Sequence, residues 1–225
     1  MVRLVLLAIL LSSGASASAQ HTHDYFPPKF PRDSIIFFTF LTTTGDTSYQ
    51  TFSSIEMTNG KFLSKNFDEN MFKSSHFVED SIEKGLRTTY GSSFSIALDG
   101  SPIEEVVKSN QKINYPFIPI KELTGWSKKY KLSYSDKIEL NSVVAFSNLD
   151  TIMLMGKSTP VLIMDRTVDK TWKGQYEKDE QSFSVKLYYA EGLGLVKFTS
   201  SGEPHYSSEV TKIEYKPKNK ISYSQ

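Results

Sequence analysis

The chain has no cysteine. This excludes a disulfide framework, a thiol nucleophile and a zinc–thiolate site, and also acylation of a lipoprotein cysteine. No Asn-x-Ser/Thr sequon occurs either, so N-glycosylation is excluded. Charge of one sign is not in excess: 26 Lys and Arg face 25 Asp and Glu. Removing Arg3 with a leader peptide would leave 25 of each, which argues against a nucleic-acid binder. The longest aliphatic run, residues 4–11 (LVLLAILL), has eight residues. A membrane-crossing helix needs roughly 20, so the reading includes no integral membrane span.

What that run does resemble is the apolar core of a secretory leader. Arg3 supplies the positive start, and Ala17-Ser18-Ala19 supplies the small-x-small pattern read by signal peptidase. The expected organisation is a signal peptide at residues 1–19, an extended arm at 20–34, a single β-rich domain at 35–217 and a flexible tail at 218–225. Export without disulfides or sequons points to a bacterial periplasm or medium.

The arm (QHTHDYFPPKFPRDS) holds three prolines and no periodicity, and is expected to pack Tyr25, Phe26 and Phe30 onto the domain or to fray. From Ser34 onward the texture is that of strands. Residues 35–41 are a continuous apolar run, and Asn59-Gly60 predicts a type I′ hairpin that pairs Met57 with Phe62. Residues 67–87 place Met71, Val78, Ile82 and Leu86 at partly helical spacing, predicting a short helix. A second helix is expected after Ser101-Pro102-Ile103-Glu104, which has the form of a capping box. Residues 93–98 alternate like a strand between them. The proline-spaced segment 114–125 reads as a connector, and β texture resumes at Lys128. The predicted class is mainly β (α+β): a curved antiparallel sheet, half-barrel or sandwich, with one or two short helices.

Residues 183–199 (FSVKLYYAEGLGLVKFT) are the most legible segment. Phe183, Val185, Leu187 and Tyr189 alternate with polar or smaller residues. A two-residue turn at Glu191-Gly192 would set Tyr189 opposite Gly194, Leu187 opposite Val196 and Val185 opposite Phe198. A phosphate loop is excluded, since Lys197 stands where the third glycine would be needed and no helix follows.

Residues 189–197 (YAEGLGLVK) resemble a Y-A-x-G-x-G-x-V-K motif of uncharacterised exported bacterial proteins, similar to the DUF3108-like and lipoprotein-carrier-like groups. Pro119 and Gly125-Trp126 echo a Gly-Trp segment after a proline in the same proteins. The resemblance implies a curved antiparallel sheet or incomplete barrel in the periplasm.

The search for chemistry returns little. His21 and His23 lie in the arm, where a polar role is the default over copper or nickel binding. His76, Glu79 and Asp80 would share one face of a helix, a partial ligand set best read as a solvated surface; His205 is distant from it. There is no G-x-S-x-G elbow. Asp165 and Asp169 flank Arg166 and are explained by an ion pair. The basic groups Lys128, Lys129 and Lys131, and Lys216, Lys218 and Lys220, read as a solvated strand face and a terminus, with adhesion to an anionic surface as the other reading. No catalytic residue, metal or cofactor is assigned.

Fifteen Phe, twelve Tyr and two Trp are abundant enough for a core or for a ligand platform. The expected work is non-catalytic: binding a lipid or other apolar ligand on the curved sheet, or an envelope protein or polysaccharide. Trp126, Trp172 and Tyr188 are the candidate contact residues. An exported hydrolase without a recognisable motif is the remaining alternative.

Overall fold

Antiparallel pairing organises the whole computed structural model, which describes residues 21–82, 84–96, 102–109, 115–134, 138–173, 178–201 and 205–218. The leader at 1–19, Ser101 of the capping box and tail residues 219–225 lie outside the described residues. Thirteen strands form one sheet. They are β1 (Ser34–Thr44), β2 (Thr47–Thr58), β3 (Lys61–Phe67), β4 (Lys73–Ile82), β5 (Gly85–Ile96), β6 (Pro102–Ser109), β7 (Tyr115–Pro116), β8 (Ser127–Tyr134), β9 (Ile138–Leu154), β10 (Lys157–Lys173), β11 (Lys178–Ala190), β12 (Gly194–Ser200) and β13 (Tyr206–Pro217). Neighbours run β4-β3-β2-β1-β13-β12-β11-β10-β9-β8-β6-β5, and β5 pairs back with β4. Twelve strands therefore complete a circuit, with the two-residue β7 added to the second edge of β5. The two thinnest seams are β12–β13 and β6–β8, each held by three paired positions. The result is a barrel-like antiparallel sheet, more nearly closed than a half-barrel and not a two-layer sandwich.

Local chemistry accounts for much of this. Asn59 (φ 52°) and Gly60 (φ 75°) make the expected hairpin turn, and Met57 pairs with Phe62. Met155 (φ 48°) and Gly156 (φ 76°) turn the long β9–β10 hairpin in the same way. The central run of β10, Val161 to Met164, is buried at four successive positions. Leu162 and Met164 enter one buried cluster with Tyr25, Phe26, Leu187 and Tyr189. Val161 and Ile163 enter a second with Ile36, Phe38, Leu154 and Val196. Strand side chains alternate between faces, so this strand is covered on both sides.

Both expected helices are strands. Residues 67–87 end β3 and form the β4–β5 hairpin, in which Val78 pairs with Tyr90 and Ser81 with Leu86. Residues 102–109 form β6, which fills the gap between β5 and β8. Isolated helical spacing is a weak preference, and unpaired sheet edges outweigh it. Glu104 makes no cap; it accepts a hydrogen bond from the Tyr90 hydroxyl at 2.8 Å. The only helical pieces among the described residues are two single 3-10 turns, Thr22–Asp24 and Ile120–Glu122.

The 183–199 hairpin forms with a different register. Its turn takes three residues, 191–193, with the Leu193 N–H bonded to the Ala190 carbonyl at 3.1 Å. Ala190 pairs with Gly194, Tyr189 with Leu195 and Leu187 with Phe198, and a bulge at Val196 absorbs the shift.

Candidate functional site

The arm closes one mouth of the barrel. Thr22 is fully buried; its hydroxyl donates to the Pro116 carbonyl at 2.7 Å and accepts from the Ile118 N–H at 2.9 Å. Gly192, in the β11–β12 turn, grips the arm with both backbone groups: its N–H donates to the Asp24 carbonyl and its carbonyl accepts from the Lys29 N–H, each at 2.7 Å. Gly194 holds φ +78°, and a Cβ there would stand 3.2 Å from Pro28 Cδ. The two glycines of the motif thus serve as the seat for the arm, and the longer turn presents the Gly192 peptide to it. Local sequence shows none of this, because the partner lies about 165 residues away.

Tyr25 and Phe26 drop from the arm into the sheet and are 1% and 2% exposed. The Phe26 ring stacks on Tyr115 (4.7 Å, 26°) and meets Tyr189 edge-on (4.6 Å, 82°). The hydroxyls of Tyr189 and Tyr115 share a hydrogen bond of 2.8 Å. Burial pushes the Tyr115 phenol up to about 12 and that of Tyr189 well above its ordinary value. Both are therefore neutral near pH 7.

Below this lid lies a cavity of about 680 Å³, within the usual range for a small-molecule site. It is bordered by Tyr25, Phe26, Phe62, Leu86 and Tyr189 of the first cluster and by Phe38 and Phe40 of the second. Eight of the chain's fifteen Phe line it, with four Tyr. Among the described residues no Lys, Arg or His lines it, and its two carboxylates accept hydrogen bonds. Asp68 accepts the N–H groups of Asn70 and Phe72 in its own loop (both 2.9 Å), and Glu79 accepts from the Thr88 hydroxyl at 3.2 Å. Such a space offers stacking and hydrophobic contact.

The three candidate contact residues are not brought together. Trp126 precedes β8, half-buried against the first cluster, with its N–H bonded to the Leu123 carbonyl at 2.7 Å. Trp172 stands near the end of β10, 42% exposed. Tyr188 packs on the second cluster, with the Lys197 ammonium 5.9 Å from its ring centre. None of the three lines the cavity.

The other constellations also come apart. His76, Glu79 and Asp80 lie on strand β4, where Asp80 bonds Arg87 at 2.9 Å and Lys61 at 3.4 Å. Glu79 projects to the face opposite His76 and Asp80. Among the described residues no group of three His, Asp or Glu side chains is placed to hold a metal. His205 is exposed. The expected ion pair of Arg166 with its flanking aspartates is absent: Asp165 meets Lys186 at 3.7 Å, and Asp169 accepts from Ser182 at 2.7 Å. Arg166 points to the opposite face. Of the basic groups, Lys131 pairs with Glu139 at 2.6 Å, and the Lys218 ammonium donates to the Met57 carbonyl.

The cavity escaped the sequence reading because its lining comes from strands far apart in the chain. A signal was present: Phe38, Phe40, Phe52, Phe62, Phe67 and Phe77 recur along the first four strands.

No family model matches the chain, and no curated protein matches it in sequence. The likeness to DUF3108-like proteins thus remains one of motif. Solved structures share the architecture. A candidate exported protein with a YmcC-like fold from Bacteroides fragilis has TM-score 0.53 at 10% identity, covering 85% of this chain and 99% of its own. A candidate lipoprotein of Parabacteroides distasonis has TM-score 0.45 at 8% identity, over 82% and 97%. The hypothetical lipoprotein YmcC of Escherichia coli has TM-score 0.34 at 11% identity, over 83% and 87%. At such identity the B. fragilis structure establishes a fold class, the YmcC-like barrel. No helix among the described residues is long and apolar enough to cross a membrane.

Proposed function

We propose that this protein is an exported, non-catalytic envelope barrel that takes an apolar ligand into the cavity beneath its N-terminal arm. The observation that carries the reading is the lining: a space of about 680 Å³ bordered by eight Phe and four Tyr. A fold that needed only stability would fill this volume with side chains, since interiors are close-packed. Export is supported by the leader pattern in residues 1–19 and by the likeness to candidate exported proteins and lipoproteins. Periplasm or medium both accord with the absence of cysteine.

The test is native mass spectrometry of the protein purified from its own host, followed by titration with a solvatochromic apolar dye such as 1-aminoanthracene. A copurifying apolar mass, or saturable one-to-one dye uptake, is the expected result. Ser64→Phe, which places a ring in the cavity from a half-buried lining position, should reduce dye uptake while leaving the fold intact. A clean apo mass together with no dye uptake sinks the proposal.

A second reading, docking of an envelope protein or polysaccharide, is favoured by the exposure of Trp172 alone. Trp172→Ala should then abolish partner retention without touching dye uptake.

A further inference from the structure

Among the described residues, Arg166 has no carboxylate counter-ion. In-register pairing sets it opposite Val144 on β9 and Val185 on β11. Directly paired residues share a sheet face, and both valines are buried in the first cluster, so the guanidinium projects toward that cluster. Ser200, which pairs with Val185, and Ser142, two positions from Val144, are each 2% exposed and complete a small polar layer.

What Arg166 touches does not neutralise it. Nη2 donates to the Ser142 hydroxyl over a long 3.3 Å, and the guanidinium carbon stands 5.3 Å from the centre of the Tyr130 ring. Nε is fully buried and has no acceptor. No carboxylate pairs with it among the described residues: Asp165 and Asp169 occupy the other face and have partners of their own. A guanidinium carries five donors in a planar fork suited to an oxyanion, and burying one without an anion is costly.

The layer adjoins the cavity. By register, Val185 and Ser200 lie one same-face step beyond Leu187 and Phe198, and Phe198 lines the cavity. Tyr206, whose phenol feels the Arg166 charge, packs edge-on against the lining residue Phe198 at 5.7 Å. A positive charge thus stands one row of side chains beyond the aromatic lining, next to the cavity rather than in its wall.

We propose that Arg166 receives the oxyanion head of an amphiphile whose hydrocarbon tail occupies the aromatic cavity. The inference rests on the apolar-ligand reading and narrows it to acidic, single-tailed or similarly slim lipids. A carboxylate and a phosphate monoester share the required chemistry. The Tyr130 ring and the Ser142 hydroxyl hold the guanidinium in the absence of ligand, and the ligand supplies the acceptor that Nε lacks.

The experiment compares three ligands of equal tail at pH 8 by displacement of bound 1-aminoanthracene: dodecanoate, dodecyl phosphate and 1-dodecanol. At least one acid should bind roughly tenfold to a hundredfold more tightly than the alcohol, as a charge-assisted hydrogen-bonded pair would give. Whichever acid leads identifies the head as carboxylate or phosphate. Arg166→Gln should erase the preference by lowering acid affinity to that of 1-dodecanol, and Arg166→Lys should retain part of it. The comparison in the unaltered protein needs no variant, so a folding defect in either substitution leaves the test standing. Equal affinity for acid and alcohol overturns the role of Arg166 and leaves the cavity reading intact. Failure of all three ligands to displace bound dye also overturns the role of Arg166, and absence of dye binding together with a clean apo mass overturns both.

Discussion

The barrel has two unlike walls. In the β9–β12 wall, Val161, Leu162, Ile163 and Met164 are buried in succession because both faces of β10 are covered. In the β4–β6 wall, Ile103 and Val106 of β6 are 43% and 48% exposed, and β6 is held to β8 by three paired positions. The first wall is held by buried apolar area, the second by backbone pairing and surface contacts. The difference bears on function: the cavity abuts β2–β5, whose half-buried rings Phe52, Phe67 and Phe77 have room to move, while Arg166 and the arm's seat belong to the rigid side.

The sharpest way to break this comparison is a matched pair of truncations. Leu162→Ala, at a fully buried position, should cost about 2–5 kcal/mol through lost transfer energy and an unfilled cavity. Val106→Ala should stay within about 0.5 kcal/mol, as exposed substitutions do. Denaturant unfolding of both variants measures the gap, and similar losses would mean the two walls are equally packed.

Next in size is an alkaline transition beneath the arm. The folded-state phenol of Tyr115 is raised from 10 to about 12, first by burial, and that of Tyr189 is also raised well above its ordinary value by burial. Between these values the unfolded chain has lost the proton that the folded chain keeps, so stability falls as pH rises. The slope is about 1.4 kcal/mol per pH unit for each such group, and nothing is lost below pH 10 on this account. Thermal melts from pH 8 to 12 should bend downward above pH 10. Tyr115→Phe with Tyr189→Phe should flatten that bend, since phenylalanine has no proton to lose.

A glycine pair tests the same contrast at smaller scale. Gly194→Ala forces a side chain to φ +78° and against anchored Pro28, which should cost about 1–3 kcal/mol and loosen the arm. Gly91→Ala, on β5, meets the Phe77 ring at 2.9 Å. That ring borders the cavity and can swing into it, so the stability cost should be about 1 kcal/mol. Dye uptake should drop instead. Arm release is read by proteolysis near residue 29 and dye uptake by titration; the reverse pattern would place the rigid wall on the wrong side.

How much of this was legible follows the same division. The Asn59-Gly60 hairpin was readable with its pairing, and the one around Glu191-Gly192 in position but not in register, because turn residues and alternation agree there. The β4–β6 wall was not. Ile103, Val106 and Val107 match helical spacing, yet on the strand Val106 faces away from Ile103 and Val107, and the stripe is split across both faces. Weakly buried strands carry little alternation, so local pattern could not decide. Only the β5–β8 gap, a property of the whole ring, makes β6 a strand. Arg166 left a clearer trace: along Leu162, Met164, Arg166 and Val168 it breaks an otherwise apolar face. Its neighbours Asp165 and Asp169 suggested an ion pair that the pleat forbids.

The smallest effect sharpens the picture of the weaker wall. Asp80 on β4 bonds Arg87 on β5 at 2.9 Å and Lys61 on β3 at 3.4 Å, tying three strands together at the surface. The Arg87 hydrogen bond, aided by Lys61, holds the Asp80 carboxyl below its ordinary 3.8. A depressed carboxyl stabilises the fold above the unfolded value and ceases to do so as pH falls through the folded one. Exposed pairs of this kind contribute about 0–1 kcal/mol and are screened by salt. Arg87→Gln should therefore cost less than about 1 kcal/mol at low salt and close to nothing in 1 M NaCl. As the pH falls below 3.8 and through the folded value, the variant and the unaltered protein should draw together. A loss that persists in high salt would mean that Arg87 packs as well as pairs, and that the β4–β6 wall is more tightly built than the exposure of its side chains implies.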